Sequence, residues 1–146
     1  MNEEVEVLIV EDNPHDLEMT LRALRKHRLA NHILTLSDGA AAADFLLARG
    51  AWEGRDTSNG PRVVFLDLKL PKLDGIEVLR EVKADPRTRS IPIVIVTSSA
   101  EERDRVESYD LGVNSYVVKP IEFEAFARTI ADLGFYWLAV NRPPRN

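Results

Sequence analysis

Side chains able to do acid, base and phosphoryl chemistry recur at four places, each at the end of a short apolar run. They are Glu11 and Asp12, Asp67, Thr97 with Ser98, and Lys119 before Pro120. Carboxylates, hydroxyls and an ammonium are the parts of a site that handles a transferring phosphoryl group. Three carboxylates brought into one crevice cannot all stay ionised without a cation between them. Their hard oxygens suit Mg2+, which takes one or two carboxylates, backbone carbonyls and water. A carboxylate can itself be the nucleophile and form an aspartyl phosphate. Asp67 fits that role because it leaves its strand alone, whereas Glu11 and Asp12 leave theirs as a pair suited to hold the metal.

These groups meet only if the chain between them forms the right elements. Val5 to Val10 is rich in Val and Ile with one interruption, the pattern of a strand covered on both faces. Asn13-Pro14 opens a helix, Asn as cap and Pro at the first helical position. Leu17, Leu21 and Leu24 carry it to about Arg28. Further strands are expected at His32–Leu36, Arg62–Leu66, Ile91–Val96 and Ser115–Val118. Helices are expected at Gly39–Arg49 (capped by Asp38, stopped by Gly50), Ile76–Ala84, Ala100–Leu111 and from Glu122 to about Ala139. Ala51 to Pro61 reads as a surface loop pinned by Trp52. Strands alternating with helices predict an α/β fold, a doubly wound five-stranded parallel sheet in a flavodoxin-like three-layer sandwich. In the strand order 2-1-3-4-5 the acidic residues, Thr97 and Lys119 lie side by side. Ligands of such sheets bind there, outside the carboxyl ends of the strands.

Composition narrows the classes. The chain has 146 residues, 45% of them apolar and 29% charged, with 19 basic and 24 acidic residues for a net charge of −5. It has no cysteine, which excludes disulfides, thiolate metal sites and cysteine nucleophiles. A reducing cytoplasm is compatible with that and is the expected location. The acidic balance disfavours nucleic acid as a partner. Met1 to Glu6 holds three glutamates and no basic residue, unlike a signal peptide. No apolar run approaches the ~20 residues that span a bilayer. His15, His27 and His32 share neither a helix face nor a metal spacing and read as surface residues.

Four segments in order resemble a response-regulator receiver domain. They are Leu8-Ile9-Val10-Glu11-Asp12-Asn13, Phe65 through Asp67 to Gly75, Ile95-Val96-Thr97, and Tyr116-Val117-Val118-Lys119-Pro120. The resemblance covers about Val5 to Leu138. It implies that Asp67 accepts a phosphoryl group from a phosphohistidine of a sensor kinase. It also implies that Glu11, Asp12, Asp67 and the backbone carbonyl of Lys69 bind Mg2+, with Mn2+ able to substitute. Lys119 would pair with the phosphoryl oxygens, with a cis bond to Pro120. Thr97 and Ser98 would lie against the phosphoryl group, and Tyr116 would swing inward as a switch. Lys69 and Ser99 occupy the two positions that tune phosphoryl lifetime in this family. Lys69 is expected to slow self-hydrolysis by adding charge and bulk. By the resemblance, residues 1–146 form one receiver domain, 140–146 an irregular tail, with no effector domain, so output would come through protein contacts.

Val10-Glu11-Asp12-Asn13-Pro14-His15-Asp16 and the close Phe135-Tyr136-Trp137-Leu138, with Pro143-Pro144, are similar to single-domain regulators paired with bacterial and cyanobacterial phytochromes. That implies a bacteriophytochrome-type histidine kinase as partner. It also implies a homodimer through the face made by the fourth helix, the fifth strand, the fifth helix and the C-terminus. Phe123, Phe126, Phe135, Tyr136 and Trp137 are much apolar area for one terminal helix, and positions 135 to 138 point all round it.

Other classes fit less well. A Mg2+-dependent aspartyl-phosphate phosphatase usually has a second acid two residues after the nucleophile, where this chain has Lys69. An FMN-binding protein needs a Ser/Thr/Gly-rich phosphate loop after the first strand, where this chain has Glu-Asp-Asn-Pro. A receiver that works by binding alone would not need the acidic trio and Lys119. A phosphoacceptor with at most self-phosphorylation and self-dephosphorylation, rather than an enzyme with an external substrate, is therefore expected.

Overall fold

The Val- and Ile-rich runs form five strands: β1 (Val7–Val10), β2 (Ile33–Leu36), β3 (Val63–Asp67), β4 (Ile93–Thr97) and β5 (Ser115–Val118). They pair in parallel in the order β2-β1-β3-β4-β5. The computed structural model describes residues 5–26, 32–98, 105–106, 110–113, 115–119, 124–125 and 128. Three helices lie fully within them: α1 (Pro14–Lys26), α2 (Gly39–Leu46) and α3 (Gly75–Ala84). Arg105, Val106, Glu124, Ala125 and Arg128 are also helical and fall in the fourth and fifth expected helices. The rest of those two helices lies outside the described residues, as do Ser99, Pro120, Phe123, Phe126, Phe135, Tyr136, Trp137 and the tail.

Every residue of β1, β3 and β4 is buried, as expected of central strands covered on both faces. Two apolar clusters lie against the sheet. Leu8, Val10, Val64, Leu66, Ile93 and Ile95 pack with Phe45 and Leu46 of α2, Leu79 and Val82 of α3, and Val106. Val7, Ile9, Phe65, Val94 and Val96 pack with Ala23 and Leu24 of α1. Successive residues of a strand serve opposite faces, so β1 and β3 feed both clusters. Burying each large aliphatic side chain contributes about 1.5–3 kcal/mol.

Several boundaries differ from the sequence expectation for visible reasons. β4 starts at Ile93 rather than Ile91, because Pro92 has no N–H for the ladder, although its carbonyl accepts from the Val64 N–H at 2.9 Å. β3 extends through Asp67, which pairs with Val96. The second helix was expected to reach Arg49 and stops at Leu46, with Ala48 in left-handed backbone at φ 54°. Guanidinium groups take the carbonyls that end it. Arg55 donates to Phe45 O at 2.7 Å and Leu46 O at 3.1 Å, and Arg87 to Leu47 O at 3.4 Å. Trp52 meets Phe45 edge to face with ring centroids 4.9 Å apart, and Arg55 lies 4.3 Å over the same ring. The long connection is thus pinned, and it holds two short 3-10 turns, Gly50–Trp52 and Thr57–Asn59.

Candidate functional site

The register aligns the carboxyl ends of the strands. Val10 pairs with Leu66, Asp67 with Val96, and Thr97 with Val118. Glu11, Asp67, Thr97 and Lys119 therefore emerge along one edge. Lys119 is tied there by its backbone N–H, which donates to Thr97 O at 2.7 Å.

Helix starts fix the remaining geometry. The Asn13 side chain caps α1, its Oδ1 accepting from the N–H groups of His15 at 2.9 Å and Asp16 at 3.1 Å. The Asn13 N–H in turn donates to Glu11 Oε2 at 3.2 Å. After β3 the chain turns back, and Asp74 caps α3 by accepting from the Ile76 N–H at 2.8 Å. Asp38 caps α2 through the Ala41 N–H at 2.7 Å. Two glycines allow close approach to the loop after Asp67. A Cβ at Gly75 would run into the Asp67 carbonyl, and one at Gly39 into the Leu73 carbonyl.

At the centre, oxygens of Glu11, Asp12 and Asp67 all lie within 4.8 Å of one another. Glu11 and Asp67 are buried, and Asp12 is exposed. Asp67 is held from both sides. Its Oδ1 accepts from the Lys69 N–H at 3.1 Å, and its Oδ2 from Lys119 Nζ at 2.9 Å. Lys119 Nζ also reaches Glu11 at 3.1 Å and Asp16 Oδ2 at 2.9 Å. Burial works against charge on Lys119, but hydrogen bonds to Asp16 and Asp67 and the charges of Asp67 and Glu11 outweigh it. The ammonium is held well above the usual lysine range. Glu11 moves the other way. Burial first, then a hydrogen bond and repulsion from Asp67, raise its carboxyl to about 8, with Lys119 opposing. The crowding of the acids thus works against negative charge on Glu11, the strain that a cation shared among them would relieve.

The structure brings together Glu11, Asp12, Asp67 and Lys119, with the Lys69 backbone directly after Asp67. Thr97 is fully buried at the end of β4, and Ser98 next to it is exposed. Tyr116 is half-buried on β5 and packs against the cluster on the α2 and α3 side. The cis bond expected before Pro120, Ser99 and the five aromatic residues named for the dimer face fall outside the described residues. Sequence reasoning missed Asp16. Its signal was the position three residues after Asn13, which puts it in the first turn of α1 beside the crevice.

Comparison with known proteins identifies the surroundings of such a site. The pattern that defines the response regulator receiver domain matches residues 7–131. The bacteriophytochrome response regulator RtBRR, a solved structure, is 49% identical with a TM-score of 0.83, over 97% of this chain and 85% of that one. The probable methanogenesis regulatory protein FilR2 of Methanothrix harundinacea is 42% identical over 138 residues, 94% of this chain and 86% of that one. Response regulator Rcp1 of Synechocystis is 36% identical over 132 residues, 90% of this chain and 88% of that one. A Mn(2+)-bound structure of Rcp1 has a TM-score of 0.77 at 34% identity, over 96% of this chain and 99% of that one.

Proposed function

The chain belongs to the response-regulator receiver family, and on that premise we propose that it is a phosphoacceptor with Asp67 as the acceptor. The donor is a phosphohistidine of a sensor histidine kinase. A carboxylate oxygen of Asp67 attacks phosphorus, the bond to the imidazole nitrogen breaks, and the leaving electron pair stays on the imidazole. The observation that carries this reading is Lys119 Nζ at 2.9 Å from Asp67 Oδ2, inside a group of three carboxylates within 4.8 Å.

The donor set fits a divalent cation. Ligand oxygens on one Mg2+ are at most about 4.2 Å apart, so these three need only small rotations to share it. Glu11, Asp12, Asp67 and the Lys69 carbonyl would hold Mg2+ or Mn2+, which when bound offsets the negative charge brought by the phosphoryl group. Lys119 meets the phosphoryl oxygens, and Thr97 and Ser98 supply hydroxyls at the end of β4. Tyr116 then shifts the β5 face, a local charge event that biases a two-state element. Lys69 and Ser99 set the lifetime.

The protein is not an enzyme with an external substrate, and at most it labels and unlabels itself. The similarity to RtBRR and Rcp1 supports a phytochrome-type light sensor as the kinase. Signalling proceeds through protein contacts in the cytoplasm, without nucleic acid or membrane. A homodimer would use the face around β5, where Val118 is 48% exposed, and the aromatic C-terminus.

Incubation with acetyl phosphate tests the reading. Intact mass should rise by one phosphoryl group in the parent with Mg2+, not without it, and not in Asp67→Asn. Labelling of Asp67→Asn, or none in the parent, would overturn it.

A further inference from the structure

Lys119 has three carboxylate partners, and they are not equivalent. Glu11 and Asp67 belong to the trio that shares a cation, and Asp67 loses its carboxylate charge once it is phosphorylated. Asp16 stands outside that group of oxygens and takes no part in holding the cation or the phosphoryl group. Its Oδ2 lies 2.9 Å from Lys119 Nζ, as close as Asp67 Oδ2. Both side chains are mostly buried, each 15% exposed, so this ion pair is screened far less than one on the surface. A lysine carries its charge on a flexible four-carbon stem and does not orient itself.

Asp16 is well placed to orient it. Its backbone N–H is held by the Asn13 cap, whose own N–H is bound to Glu11. Its carbonyl accepts from Thr20 Oγ1 at 3.1 Å one turn on. The carboxylate therefore projects from a helix start that the site itself anchors.

We infer that Asp16 is a positioning residue: it holds Lys119 Nζ at the mouth of the crevice after Glu11 and Asp67 turn to the cation and the phosphoryl group. The ammonium then meets phosphoryl oxygens without a search for its position. This rests on the phosphoacceptor reading of Asp67. The competing explanation is that Asp16 is only an acid in the first turn of α1, favourable to the helix dipole.

A double-mutant cycle separates the two. The initial rate of labelling by acetyl phosphate with Mg2+ is measured by intact mass for the parent, Asp16→Asn, Lys119→Met and the double variant. Asp16→Asn should slow the parent about tenfold, the low end of what a charge-assisted hydrogen bond is worth. In the Lys119→Met background its effect should stay within about twofold, the usual error of additivity. Asp16→Glu should recover most of the rate. A second readout needs no phosphoryl donor. Acylation of the Lys119 amine, read by peptide mass, should be several-fold faster in Asp16→Asn than in the parent. Unchanged labelling in Asp16→Asn, an equal loss on both lysine backgrounds, or unchanged acylation of Lys119 would overturn the inference. Failure of the parent to label would instead overturn the phosphoacceptor reading, and the acylation result would still decide the role of Asp16.

Discussion

Asp67 sits between a backbone donor and a charged one, and the two are not interchangeable. The Lys69 N–H fixes Oδ1 at 3.1 Å, which also fixes where the Lys69 side chain leaves the chain. That side chain is exposed two residues after Asp67, and on the proposed phosphoacceptor reading it shields the phosphoryl group from attacking water. Lys69→Ala should lose its phosphoryl group several-fold faster than the parent, measured as decay of the labelled mass after the donor is removed. An unchanged decay rate would refute that role. Glu11, Asp67 and Lys119 were legible in the sequence because each follows an apolar run that can only be a strand. Asp16 was not, because an acid near a helix start has an ordinary capping explanation. Its contact with Lys119 depends on β1 and β5 ending on the same edge, a long-range fact.

The turn between β3 and α3 begins directly after Asp67, and two helix starts press on it. Gly75 and Gly39 both stand where a Cβ would meet a backbone carbonyl. Their exchange cannot be absorbed by a side chain, since the obstacle is main chain. Gly75→Ala should cost about 1–3 kcal/mol, the range of overpacking, and should displace the Asp67 carbonyl. Thermal unfolding should therefore fall together with the labelling rate. A variant that unfolds earlier but labels at the parent rate would show that the turn is not coupled to the acceptor. Most element positions followed from periodicity and capping, whereas the strand order came from the known arrangement of doubly wound sheets. The early end of α2 did not, because the residues that stop it, Arg55 and Arg87, lie in later loops and act on its carbonyls through space. The helical pattern of the alanine-rich segment gave no hint of them.

Across the whole molecule, 24 acidic residues face 19 basic ones, and four of the acids meet at one edge of the sheet around a single lysine. A cation that binds only the folded arrangement stabilises the fold by mass action. At one hundred times its dissociation constant Mg2+ should add about 2.7 kcal/mol, or roughly 8 °C in Tm for a chain of this size. Asp12→Asn should shrink that rise, and calorimetric melting with and without a chelator reads it. No helix among the described residues is long and apolar enough to cross a membrane. The pinned loop after α2 has a practical consequence. Glu53 is exposed between Trp52 and Arg55, both fastened to Phe45, and the chain has no cysteine of its own. A thiol introduced as Glu53→Cys would be unique in the chain and mounted on a stationary base. A fluorophore attached there would report the docking of a kinase through its tumbling, without touching the acidic crevice.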